Sequence, residues 1–350
     1  MSHAPGRREV LKYAGTDGVA VPGLGRATAP QATAAQPEDS PGRRGHSLLD
    51  ILALGDTMPL EPDATVPSDA HADFAYAVYR EDPPVTDLGR IRLFCTCLGP
   101  AHAPALLLVH GWGGDGREWS RHAEELAGTF HVIVPDLRGH GRSEVPQDGN
   151  TPVEMADDLA ALVTTLGTGP VVAVGHSMGG QVVNLLAVRH PQTVRSVVAL
   201  DPAHGAHGSE VDGIPGRLAE YQANGALAAA SFVAGAFAPD APAGLRTAHV
   251  RSMLGTPDHV IAQSYAGMYA DPGAVGIRPH SEKYLRRRPQ PALTVWTSEE
   301  AAAWERTTLH VPGSRVDHWA GTGHYLHEER AERTIRLLGD WTTETFTSGS

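Results

Sequence analysis

The 350-residue chain is 41% hydrophobic and 19% charged, which supplies enough apolar material for a substantial core and a single catalytic domain with decorations. Its 40 acidic residues against 28 Lys and Arg leave a formal charge of −12, which argues against the broad basic field of a nucleic-acid binder and for a small-molecule partner. No stretch reaches the roughly 18 apolar residues of a membrane-spanning helix, and two cysteines, Cys95 and Cys97, provide neither a disulfide framework nor a four-thiolate zinc site.

Residues 1–70 read as a signal-like or disordered segment. Arg7-Arg8-Glu9-Val10-Leu11-Lys12 resembles a twin-arginine export signal, and the Ala-rich run 27–35 offers a small-residue cleavage site. Asp17, Pro22 and several glycines interrupt the apolar segment such a signal needs. Two readings stay open, an exported chain and a cytoplasmic one with a disordered arm.

Periodic order begins near residue 72. Phe74, Tyr76 and Val78 alternate with smaller residues, and after the Pro83-Pro84 turn the segment 90–94 alternates again, so a strand pair is expected. Five short apolar runs follow, at 105–109, 131–134, 171–174, 197–200 and 292–296. They lack polar alternation and are separated by helical segments, the mark of a mostly parallel sheet covered on both faces. Thr151-Pro152-Val153-Glu154 predicts a helix start, with a cap, a first-turn proline and a Glu able to reach back, and Gly167 predicts its end. The interval 203–288 has no convincing buried strand. Its Ala-rich stretches at 217–237, 245–254 and 259–269 read as a helical cap inserted between core segments 71–202 and 289–345.

The most specific chemical signal is Gly175-His176-Ser177-Met178-Gly179-Gly180, placed between an apolar run and a helical segment. It fits the G-x-S-x-G elbow, in which a sharp strand-to-helix turn holds the serine exposed at the tip of the sheet. A serine hydroxyl needs a neighbouring base. His324, in Gly323-His324-Tyr325, follows the last expected strand and is preferred over His318, within that strand, and His327, one turn into the final helix. The glycine-rich His110-Gly111-Trp112-Gly113-Gly114 follows the Leu-rich strand, and the amides of Trp112 and Met178 are the expected oxyanion donors. Nineteen scattered histidines without an H-E-x-x-H pattern give no metal site, and no cofactor is expected.

Together with Asp136-Leu137-Arg138-Gly139-His140-Gly141-Arg142-Ser143, these motifs resemble the α/β-hydrolase superfamily, in its epoxide-hydrolase, haloperoxidase and ester-hydrolase branches, over residues 73–345. The resemblance implies an eight-stranded sheet, a lid after the sixth strand, and a Ser–acid–His triad. Ser177 stands where epoxide hydrolases and haloalkane dehalogenases carry Asp, so an acyl-enzyme and cleavage of an ester, thioester, lactone or amide are implied. The 136–143 segment is expected to be a structural turn.

The acid departs from the family pattern, because the loop after the seventh strand reads Trp296-Thr297-Ser298-Glu299-Glu300 and has no Asp. Asp201, at the end of the sixth strand, is preferred, with Glu300 and then Glu299 as alternatives. Phe232, Phe237, Met253, Tyr265, Met268 and Tyr269 suggest a modestly lipophilic pocket, and His204 and His207 are possible neighbours of it. Two rival functions remain: a cofactor-independent dioxygenase or lyase using the His–acid pair as base, and a non-catalytic binding protein on the same scaffold.

Overall fold

The structure, a computed structural model, describes residues 85–347; the signal-like arm and the expected strand at 74–78 lie outside them. Eight strands form one sheet in the order β1-β2-β4-β3-β5-β6-β7-β8. They are β1 Val85–Asp87, β2 Arg92–Leu98, β3 Ala105–Val109, β4 His131–Pro135, β5 Val171–His176, β6 Val194–Leu200, β7 Ala292–Trp296 and β8 Arg315–His318. β1 and β2 run antiparallel to their neighbours, and β3 to β8 are parallel.

The absence of polar alternation in the central strands has a direct packing cause. Leu107 and Val109 of β3, with Ala173 of β5, join Met155, Leu159 and Val182 on one face. Leu106, Leu108, Val172 and Val174 point the other way and join Trp119, Leu338 and Trp341. Successive side chains leave a strand on opposite sides, so a sheet buried on both faces requires an apolar residue at every position. Cys95 is buried and Cys97 exposed; both are free thiols on β2.

The helix Pro152–Leu166 begins and ends where its sequence signals stand. The Glu154 amide donates to Thr151 Oγ1, and Gly167 closes the helix in the left-handed region at φ 65°. The Glu154 carboxylate does not fold back on the cap. It pairs with Arg90 instead, an attraction the sequence pattern does not contain.

Between β6 and β7 the chain forms five helices, Ser209–Asp212, Ile214–Gly235, Ala243–Gly255, Asp258–Tyr269 and Arg278–Leu285. The three long ones match the three expected stretches. The short first and the last were not anticipated, and an isolated parallel bridge, Ala206 to Ile277, ties the two ends of the insertion together. Helix Ile214–Gly235 is broken at Gly225 (φ 50°, ψ −131°), where Asp258 Oδ1 accepts from the Ala226 amide at 2.9 Å and restarts it.

Candidate active site

Ser177 follows β5 directly and precedes the helix Met178–Arg189. Its backbone sits at φ 52°, ψ −118°, a region L-residues avoid. The neighbouring sequence makes that geometry possible. A Cβ on Gly175 would stand 2.2 Å from the Gly179 carbonyl oxygen, and one on Gly179 would stand 2.4 Å from that of Val109. The turn is held by the Ser177 amide donating to Leu200 O at 3.0 Å and by Ser177 O accepting from Ala203 N at 2.9 Å. The Met178 N–H belongs to the first helical turn, which has no intrahelical acceptor and lies at the positive end of the helix dipole.

Asp201, immediately after β6, is with Ser177 one of two non-glycine residues of positive φ among the described residues, at 42°. His324 lies in the loop after β8, and its Nδ1 donates to Asp201 Oδ2 at 2.7 Å. The other carboxylate oxygen accepts from both the amide (3.0 Å) and the hydroxyl (2.8 Å) of Thr297, just past β7. Burial alone would raise the Asp201 carboxyl, but the His324 hydrogen bond and charge, with the Thr297 donors, hold it below the ordinary carboxylate value. Thr297 was missed at the sequence level. The loop in which an acid was sought instead provides donors to Asp201.

His324 is tied to the Ser177 side of the sheet through His176. The two imidazoles are 4.7 Å apart, and His176 Nε2 donates to the His324 carbonyl at 3.0 Å. Serine turn, Asp201 and His324 therefore meet at the carboxyl edge of β5, β6 and β8. The helical insertion reaches the same place. The His324 amide donates to Ala236 O at 2.7 Å, while Glu329 accepts from Gly323 N (2.8 Å) and Ala238 N (3.0 Å).

The remaining candidates sit elsewhere. Glu300 is exposed and binds His207 (2.7 Å) and Arg278 (3.3 Å); Glu299 pairs with Arg306 and His318. His204 is buried against Glu305 at 3.2 Å, and His327 is buried beside Glu118 at 3.1 Å. The segment 136–143 is structural: Asp136 accepts from the amides of Gly116 (2.7 Å) and Arg142 (2.8 Å), and Arg138 grips Asp158 with two hydrogen bonds.

Of the six apolar insertion residues, Met253 and Met268 are buried in the core, and Phe237 stacks on Tyr325 with 4.4 Å between centroids. Tyr265 packs 5.8 Å from Trp112 and 5.2 Å from Tyr269. Phe232 differs from these. It is 51% exposed, with its ring 6.4 Å from Trp112 and 6.2 Å from His324.

Among the described residues, Glu118, His176 and His327 bring ligand-type atoms within 4.8 Å of one another. The 2.7 Å from Glu118 Oε1 to His176 Nδ1 is a hydrogen-bond distance. Two ligands of one tetrahedral zinc, with bonds of roughly 2.0–2.1 Å, would stand about 3.3 Å apart.

A family model described as the alpha/beta hydrolase fold matches residues 104–270. The chain is 31% identical over 290 residues to the magnesium-chelatase 30 kDa subunit of Rhodobacter capsulatus, covering 75% of this chain and 95% of that one. It belongs to the α/β-hydrolase family. This α/β hydrolase is also 28% identical to a 2-(acetamidomethylene)succinate hydrolase of Mesorhizobium japonicum, over 72% of its own length and 92% of the relative. An esterase of known structure from Thermogutta terrifontis superposes with a TM-score of 0.63 at 27% identity, covering 73% of this chain and 94% of that one. These relatives include hydrolases and esterases, which supports hydrolysis as the reaction class of this α/β hydrolase. Among its described residues no helix is long and apolar enough to cross a membrane.

Proposed function

We propose that the chain is a serine hydrolase that cleaves a small, modestly lipophilic ester, thioester or lactone through an acyl-enzyme. Ser177 is the nucleophile, His324 the general base and then acid, and Asp201 the carboxylate that fixes the imidazole. The observation that carries this reading is the 2.7 Å hydrogen bond between Asp201 and His324 beside the strained Ser177 turn. With Nδ1 donating to Asp201, Nε2 of His324 carries the lone pair and takes the serine proton as the hydroxyl attacks the carbonyl carbon. The Asp201 charge stabilises the resulting imidazolium. The tetrahedral oxyanion is placed to accept from the amides of Met178 and Trp112, and its collapse expels the alcohol, which receives the proton from His324. Water then repeats the sequence on the acyl-enzyme.

The helical insertion acts as the cap. Phe232, facing both Trp112 and His324, is the residue on which a lipophilic acyl or alkoxy group would rest.

The test is labelling by a fluorophosphonate probe, followed by turnover of aryl esters and lactones of graded chain length. Labelling of wild type and none of Ser177→Ala is expected. A Ser177→Ala variant that keeps most turnover would instead assign the His324–Asp201 pair as a base acting directly on substrate, and ligand binding without turnover or labelling would leave only a binding function.

A further inference from the structure

Beneath the site lies a buried charge cluster to which the mechanism assigns no part. Glu118, in the short 3-10 turn Gly116–Trp119, has a side chain 2% exposed; that of His176 is 1% exposed. Glu118 Oε1 is 2.7 Å from His176 Nδ1, and Glu118 Oε2 accepts from the Gly111 amide at 3.1 Å. His176 Nε2 is 3.0 Å from the His324 carbonyl oxygen. Both nitrogens of this one ring thus face oxygen atoms. A carbonyl only accepts hydrogen bonds, and so does an ionised carboxylate. The ring satisfies both neighbours only with a proton on each nitrogen.

We propose that Glu118 and His176 form a buried carboxylate–imidazolium pair that fixes three loops against one another: the Gly111–Trp112 loop, the Ser177 turn and the His324 loop. The inference rests on the serine-hydrolase reading above, since it assigns these two as positioning residues for that chemistry. Each contact reaches a different catalytic segment. Glu118 holds the amide preceding Trp112, His176 precedes Ser177 in the chain, and its far nitrogen holds the backbone of His324.

The glycine-rich loop acquires a second reason for its composition. A Cβ on Gly111 would stand 2.9 Å from His176 Nδ1, and one on Gly114 would stand 2.9 Å from Glu118 Oε2, so side chains there would wedge the pair apart. Charge balance is consistent. Burial would raise the Glu118 carboxyl, yet the charge and hydrogen bond of His176, with His327, hold it well below the ordinary value. Burial, and after it the neighbouring His176, push His327 well below its ordinary value.

A double-mutant cycle on the full chain tests the pair, read by the rate of fluorophosphonate labelling and by kcat and KM for an aryl ester. Labelling of wild type and its loss in Ser177→Ala establish the parent reading first; if they fail, that reading has failed before the pair is examined. Glu118→Gln and His176→Asn are each expected to slow labelling about 10–100-fold, the cost of displacing reacting groups by a fraction of an ångström to about 1 Å. KM is expected to stay within about threefold, because neither side chain touches substrate. The double variant should lose no more than the worse single one, since the unpaired buried charge is then gone. Wild-type labelling in either single variant, or losses that multiply in the double, would overturn the proposal. Should a single variant fail to fold, nitrogen-15 NMR of wild-type His176 decides. Two protonated ring nitrogens under the conditions of the activity assay support the pair, and one protonated nitrogen, or a stoichiometric transition metal in the purified protein, overturns it.

Discussion

Thr297 donates both its amide and its hydroxyl to Oδ1 of Asp201, leaving Oδ2 to receive the Nδ1 proton of His324. The carboxylate is thereby clamped on one side and presented on the other. Most members of this family place the acid itself in the loop after β7. Here that loop supplies the donors that hold the Asp201 carboxylate, which arrives from β6.

Asp201→Asn should lower kcat toward aryl esters by about 10⁴-fold, because an amide in that position favours the wrong imidazole tautomer. Glu300→Gln should leave kcat within about twofold, since Glu300 is occupied by His207 and Arg278 at the surface. Steady-state kinetics on the two variants separates these expectations, and the reverse ranking would transfer the acid role.

Thr297→Val removes one of the two donors while keeping size and the backbone amide. A hydrogen bond to a charged group contributes about 1.5–3 kcal/mol, and the remaining amide compensates in part, so kcat should fall about 10-fold with KM nearly unchanged. A change confined to KM would show that Thr297 touches substrate and does not act through Asp201.

Phe232→Ala should raise KM several-fold for aryl or long-chain esters and leave acetyl esters of small alcohols nearly unaffected. Loss of a partly exposed aromatic contact is worth about 1 kcal/mol. Equal KM values for the long-chain substrates would remove Phe232 from the binding surface.

His249, on the insertion, is paired with Glu328 and packed on Tyr325 at 4.0 Å and Phe237 at 5.7 Å. Burial alone would lower its proton affinity, but Glu328, helped by Glu118 and Asp115, raises it above 6.5. A folded-state value raised above the unfolded one gives stability that is complete below 6.5 and is lost as pH rises through the folded value. Urea midpoints should therefore fall on the alkaline side in wild type more steeply than in His249→Gln. Parallel curves would dismiss the pair as a source of pH dependence.

Gly225→Ala should destabilise the chain by about 2–3 kcal/mol, combining the left-handed backbone penalty with loss of a helix cap. The new Cβ would stand 1.9 Å from Asp258 Oδ1. Asp258→Ala, which removes only the cap, should cost about 1 kcal/mol by denaturant titration.

The parts of this molecule that could be read from its residues are those where local geometry restricts the side chain. The elbow demands Gly175 and Gly179, the helix at Pro152 announces its ends with Thr151 and Gly167, and the buried strands are apolar throughout because both faces are covered. Asp201 was favoured for its place at a strand terminus. Thr297 and Glu118 were not found, for a different reason. Thr297 meets Asp201 across 96 positions, and Glu118 meets His176 across 58, with no spacing rule linking them. Only the strand order brings them together. The helix Arg278–Leu285 escaped notice because its Arg, His, Glu and Lys residues leave only Ser281 and Leu285 buried, too thin an apolar stripe to register as periodicity.

The bond from the His324 amide to the Ala236 carbonyl bears on how such enzymes change their diet. A helical insertion transplanted from a homologue would bring its own version of that acceptor and of the Ala238 amide held by Glu329. Grafts whose junctions fall inside residues 236–238 would detach His324 from its support, whereas junctions that retain this short stretch leave it in place.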